Sequence, residues 1–93
     1  MTNEDRQKEL AQLFVETAKA HHSAYIETDG HHPDWPLWYA EYLFDKLPAV
    51  LGRDLTISEL VYCLVLLSKE QPVAAPDAWW PGYYAAYFLE NYS

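Results

Sequence analysis

A chain of 93 residues has the length of one domain. With 51% hydrophobic and 22% charged residues it has the composition of a globular protein, not of a disordered tail, a collagen-like repeat or a polar linker. Its net charge of −8, with six Lys and Arg scattered singly, speaks against phosphate neutralisation on nucleic acid and against binding to anionic membrane surfaces.

No run approaches the roughly 18 uncharged apolar residues that span a bilayer, and the longest candidate, Leu60 to Leu67, is far too short. The acidic, polar start Met1-Thr2-Asn3-Glu4-Asp5 predicts no secretory signal. The single cysteine, Cys63, permits no intramolecular disulfide, which points to a reducing cytoplasm; within its apolar run it reads as a small buried core residue. Aromatic residues make up 16% of the chain, including four Trp and eight Tyr. Large rings supply the apolar area that so small a core otherwise lacks.

The first predicted helix runs from Asn3 or Glu4 to Ile26 or Thr28. Leu10, Leu13, Phe14, Thr17, His21, Ala24 and Tyr25 form one stripe at 3.6 spacing, and Ala11, Val15, Ala18, His22 and Ile26 form a second beside it. Asp29-Gly30 is its stop signal, because glycine adopts the left-handed conformation cheaply. In the stiff linker that follows, Pro33 and Pro36 push His32 and Trp35 out of the α region. The second helix is expected to start at Pro36, with Leu37, Ala40, Leu43, Phe44 and Leu47 as its apolar stripe. Pro48 predicts a kink or a new turn over Ala49 to Leu51, ended by Gly52.

The third helix opens with the capping box Thr56-Ile57-Ser58-Glu59 and runs to Ser68 or Glu70. It is apolar nearly all round and is expected to be central and buried. Pro72 and Pro76 bracket a loop, and the fourth helix covers Pro81 to Glu90 or Asn91. Trp35-Pro36-Leu37-Trp38-Tyr39-Ala40-Glu41-Tyr42-Leu43-Phe44 is echoed 45 residues later by Trp80-Pro81-Gly82-Tyr83-Tyr84-Ala85-Ala86-Tyr87-Phe88-Leu89. The predicted fold is all-α: two helical hairpins in a four-helix bundle-like array, with a possible pseudo-twofold repeat that makes the two echoed helices equivalent.

Two constellations could carry chemistry. Between Ala20 and Asp45 there is no Lys or Arg, yet all four histidines fall there, with Glu27, Asp29, Asp34, Glu41 and Asp45. Imidazole and carboxylate suit a divalent transition metal, with His22, Asp29, His31, His32 and Asp34 as candidate ligands. The spacing is poor, because His21 and His22 are adjacent on a helix and point ~100° apart, and the i, i+4 zinc pattern is absent. His22 is also the candidate general acid or base, with Tyr25, Asp29, Asp34 and Glu41 as possible partners. No nucleophile has a recognisable setting: Ser23 lacks a nucleophile elbow, and Cys63 has no basic neighbour in sequence.

The second constellation is aromatic. Trp35, Trp38, Tyr39, Tyr42, Trp79, Trp80, Tyr83, Tyr84, Tyr87 and Tyr92 exceed what one stripe per helix can bury. Exposed Trp and Tyr serve protein interfaces, or line pockets for planar or cationic ligands.

Through His21-His22-Ser23-Ala24-Tyr25, Thr28-Asp29-Gly30 and Pro33-Asp34-Trp35-Pro36-Leu37-Trp38-Tyr39-Ala40, the chain resembles a group of small bacterial helical proteins known as hypothetical open reading frames. The likeness extends to Ser58-Glu59-Leu60-Val61-Tyr62 and the final aromatic helix. The resemblance implies a bacterial cytoplasmic origin and brings no activity, ligand or catalytic residue with it.

The residues point first to a non-enzymatic binding or interaction module working through its aromatic surface. Its ligand set would be drawn from His22, Tyr25, Asp29, Asp34, Trp35, Trp38, Tyr39, Tyr42, Trp80 and Tyr84, with a protein partner or a second copy as the occupant. The alternative is a metal or small-molecule site around His22 and the loop from Asp29 to Asp34, with acid/base chemistry. No cofactor is strongly implied.

Overall fold

The structure, a computed structural model, describes residues 2–26 and 33–92. Among the described residues there are five helices and no strand: α1 (Asn3–Ala24), α2 (Trp35–Phe44), α3 (Leu47–Leu51), α4 (Ile57–Ala74) and α5 (Trp80–Tyr92). The all-helical expectation holds. No helix among these residues is long and apolar enough to cross a membrane.

Two helices begin with the same device. In α1 the Thr2 hydroxyl accepts from Asp5 N–H at 3.1 Å, while the Asp5 carboxylate accepts from Thr2 N–H. In α4 Thr56 and Glu59 exchange the same pair of bonds, both at 3.0 Å. Each box satisfies two of the amide donors that a helix start leaves orphaned. The box at Thr56 matches the sequence expectation; the one at Thr2 went unread.

α1 ends at Ala24, short of the expected Ile26 or Thr28, and the Tyr25 N–H closes it on the His21 and His22 carbonyls. The expected stop, Asp29-Gly30, lies outside the described residues. α2 starts one residue early, at Trp35, with Pro36 inside its first turn. Pro48 has no N–H to offer the Phe44 carbonyl, so α2 stops there and the chain restarts as the separate α3. Gly52 ends α3 at φ 81°, a left-handed conformation that only glycine adopts freely.

Pro72 carries the same penalty with a different outcome. It lies inside α4, which continues to Ala74, where the sequence predicted a loop. The last turn is held from beyond the proline: Ala75 N–H bonds the Gln71 carbonyl at 2.9 Å, and the Gln71 side chain donates to the Ala75 carbonyl at 2.8 Å.

The core is drawn from one stripe of each helix. α1 contributes Leu10, Ala11, Leu13, Phe14, Thr17 and His21. The Thr17 hydroxyl is buried at no cost in unmet bonding, because it donates to the Leu13 carbonyl at 2.7 Å. α4 buries Leu60, Cys63, Leu64 and Leu67 but leaves Tyr62 62% exposed. It is therefore a flank of the core and not the central helix expected. On α2 the buried residues are Ala40 and Leu43, with Leu47 following on α3, while Leu37 and Phe44 are 46% and 49% exposed. The stripe is rotated from the predicted one because the Trp35 and Tyr39 rings, one turn apart, take the inward side.

Helices adjacent in sequence are not the main partners in space. α1 packs most extensively on α5, and α2 on α4. Phe14 is the pivot of the first pairing, touching Trp80, Tyr84 and Phe88 with ring centroids 6.4, 5.7 and 5.7 Å away.

Candidate functional site

The echoed segments begin their helices in the same way. The Asp34 carbonyl accepts from Trp38 N–H at 3.3 Å, and the Trp79 carbonyl, 45 residues on, accepts from Tyr83 N–H at 3.1 Å. Two of the echoed pairs are fully buried on both helices, Ala40 with Ala85 and Leu43 with Phe88, whereas Tyr39 is partly open and Tyr84 buried. On each helix a tryptophan and the tyrosine one turn later form an edge-to-face pair. Trp35 and Tyr39 lie 5.2 Å apart at 79°, and Trp80 and Tyr84 lie 5.0 Å apart at 71°.

These two pairs meet. Trp35, Tyr39, Trp80 and Tyr84 line one pocket of about 200 Å³, with Ser68 of α4 as its fifth residue. At roughly 30 Å³ per water it has room for about six waters, well below the cavities that hold drug-sized ligands or cofactors. Burial pushes the Tyr84 phenol up to about 12, and the neighbouring Tyr39 phenol adds to the shift. Tyr39 is raised by burial too. Both phenols are thus neutral at pH 7, and the walls are four uncharged rings.

Ser68 went unnoticed in the sequence. Its hydroxyl donates to the Val65 carbonyl at 2.7 Å, so towards the pocket its oxygen can only accept. Pro72, four residues on, cannot give the Ser68 carbonyl the donor that an uninterrupted helix would supply. That proline was the available signal.

The other candidates lie elsewhere. His21, 6% exposed, is walled by the rings of Tyr25, Trp38 and Tyr39 at 5.0, 5.1 and 5.3 Å. His22 is exposed on α1 and does not line this pocket, because its neighbour on the helix takes the inward direction. Asp34 is exposed at the start of α2, where its backbone carbonyl and not its carboxylate makes the capping bonds. Trp38 stacks on Tyr42 at 5.5 Å and 12°, and the Lys46 ammonium sits 4.1 Å from the Tyr42 ring centre. Asp29, His31 and His32 lie outside the described residues. Among the described residues no group of three His, Cys, Asp or Glu side chains is placed to hold a metal ion.

Two wider depressions lie elsewhere on the surface. One, of about 400 Å³, is lined by exposed Glu4, Gln7, Lys8 and Trp79. The other, of about 580 Å³, is lined by exposed Phe44, Asp45, Asp54 and Thr56. Cys63 is buried and donates to the Tyr92 hydroxyl at 3.3 Å; burial pushes its thiol up, away from the nucleophilic form. No family model, curated protein or solved structure matches the chain.

Proposed function

We propose that the protein is a non-enzymatic binding module and that the four-ring pocket is its recognition site. One observation carries this reading: two Trp–Tyr pairs, far apart in sequence but equivalent in pattern, converge on one small concavity. Here Trp35, Tyr39 and Trp80 stay partly open around a space of about 200 Å³. A site of that size takes a compact group, either a small molecule or one side chain of a protein partner.

The same reading treats the chain as two hairpins, α1 with α2 and α4 with α5, related by a pseudo-twofold axis. Exchanging α1 with α4 and α2 with α5 converts the α1–α5 packing into the α2–α4 packing, the two most extensive in the molecule. The pocket would then lie where the repeated halves meet.

The test is a fragment titration followed by ¹H–¹⁵N NMR, using indole, toluene and tetramethylammonium. At least one probe is expected to move the indole N–H signals of Trp35 and Trp80 while leaving that of Trp79 in place. If all three probes leave Trp35 and Trp80 unmoved at millimolar concentrations, the pocket is not a binding site. Native mass spectrometry before and after chelation interrogates the histidine–acid segment separately.

A further inference from the structure

We infer that the occupant of the pocket is a quaternary ammonium group, a small methylated cation. This rests on the binding reading above and gives the ligand its chemical class. The warrant begins with the rings. An aromatic face carries negative potential and attracts a cation within about 6 Å, tryptophan most strongly. In each pair one ring stands nearly perpendicular to the other, at 79° and 71°, so each Trp–Tyr pair forms a corner. Two such corners lining one small open depression present rings at several angles, which suits a compact, roughly spherical group better than a flat one.

Charge points the same way. Neither α2 nor α5 contains a Lys or Arg, while they carry Glu41 and Glu90, on a chain of net charge −8. Lys69 follows Ser68 on α4, and the net field of so acidic a chain still favours a cation over an anion.

The lining then selects among cations. A primary ammonium or a guanidinium brings N–H donors, each of which needs an acceptor once it leaves water. None of the five lining side chains is a carboxylate, and the one side-chain acceptor among them outside the phenols is the Ser68 hydroxyl oxygen. One hydroxyl oxygen and two phenols, with no carboxylate among them, are a poor match for three or more N–H groups. A tetraalkylammonium has no N–H to satisfy, and its weak hydration makes it cheap to desolvate.

Two sources present this chemistry: a free molecule such as choline, or a trimethylated lysine on a partner protein. The experiment titrates the intact chain with choline, with its neutral carbon isostere 3,3-dimethyl-1-butanol, with ethanolamine, and with a short peptide bearing trimethyllysine. Indole N–H shifts and tryptophan fluorescence are the readouts. Choline or the trimethyllysine peptide is expected to bind at least about tenfold more tightly than the isostere and ethanolamine. The tighter of the two identifies the source. Trp35→Phe and Trp80→Phe should each weaken the cation severalfold with helicity retained by circular dichroism, and Trp79→Phe should not. Uniform 5-fluorotryptophan labelling, which keeps ring shape and drains ring charge, should weaken the cation and spare the isostere.

Equal binding of choline and its isostere overturns the cation assignment and leaves the binding module standing. So does a response to indole or toluene with none to either methylated cation. Silence at Trp35 and Trp80 with every probe overturns both.

Discussion

The Tyr84 ring is 7% exposed and packed against Phe14 and Trp80, and burial is what pushes its phenol up to about 12. In the unfolded chain the phenol ionises near 10. The folded pKa is the higher one, so the stability gained by keeping Tyr84 neutral is fully present below pH 10 and is lost as pH rises through 12. At about 1.4 kcal/mol per unit the gap amounts to roughly 3 kcal/mol. Tyr39 is displaced in the same direction, so the informative quantity is a difference. Between pH 9 and 11.5 the wild-type protein should lose stability to urea more steeply than Tyr84→Phe; parallel pH profiles would refute the assignment. Cys63 gives a second check at this scale. Its thiol is buried and shifted towards the protonated form, so iodoacetamide should label it only after unfolding. Labelling of the native protein at the rate of an exposed thiol would contradict its placement. Single residues were legible to the extent that their helix face was. The stripe through Leu10, Phe14 and Thr17 carried His21 correctly into the core, whereas His22, on the second stripe, proved exposed.

At the scale of elements, local chemistry was most readable where it acts within one turn. The Thr56 box involves four consecutive residues, and its two bonds at 3.0 Å follow from them alone. Thr56→Ala should cost about 1 kcal/mol in chemical denaturation, with little change in the dependence on denaturant concentration. A change below about 0.3 kcal/mol would mean that tertiary packing and not the cap sets the start of α4. Pro72 shows the opposite case. The sequence rule that a proline ends a helix is a statement about one missing bond and one clash, about 3 kcal/mol. Packing of Leu60, Leu64 and Leu67 upstream and the Gln71 bonds beyond the ring outweigh it. At Pro48 the helix breaks, and the chain restarts as α3. Pro72→Ala should therefore stabilise the protein, by about 1–3 kcal/mol, since it restores the donor to Ser68 and Pro72 itself is exposed. If Pro72→Ala is neutral or destabilising, the ring is already accommodated without a lost bond.

For the molecule as a whole, pattern and pairing were unequally legible. The Trp-Pro echo was visible in the letters, but the α1–α5 and α2–α4 pairings were not, because helix periodicity tells which face is apolar and not which apolar face it meets. Phe14 could have been predicted to be buried, yet nothing local to it names Trp80 and Phe88 as its neighbours. Charge is also a property of the whole. A net charge of −8 is held within 39 × 29 × 21 Å, and the one ion pair among the described residues, Lys46 with Asp45 at 3.3 Å, is exposed. Such a pair contributes at most about 1 kcal/mol. At about 10 mM salt the Debye length is roughly 30 Å, so acids at opposite ends of the molecule still repel one another; at about 1 M it is roughly 3 Å and only neighbours interact. Self-repulsion disfavours the compact state. Raising sodium chloride from about 10 mM to about 300 mM at pH 7 should therefore raise the melting temperature. The same titration near pH 4.7, where the sequence places the isoelectric point, should raise it far less. Equal gains at the two pH values would assign the effect to general salting rather than to charge, and the acidic surface would then be energetically idle in the fold. A gain confined to pH 7 would mean that the fold is held together against its own field.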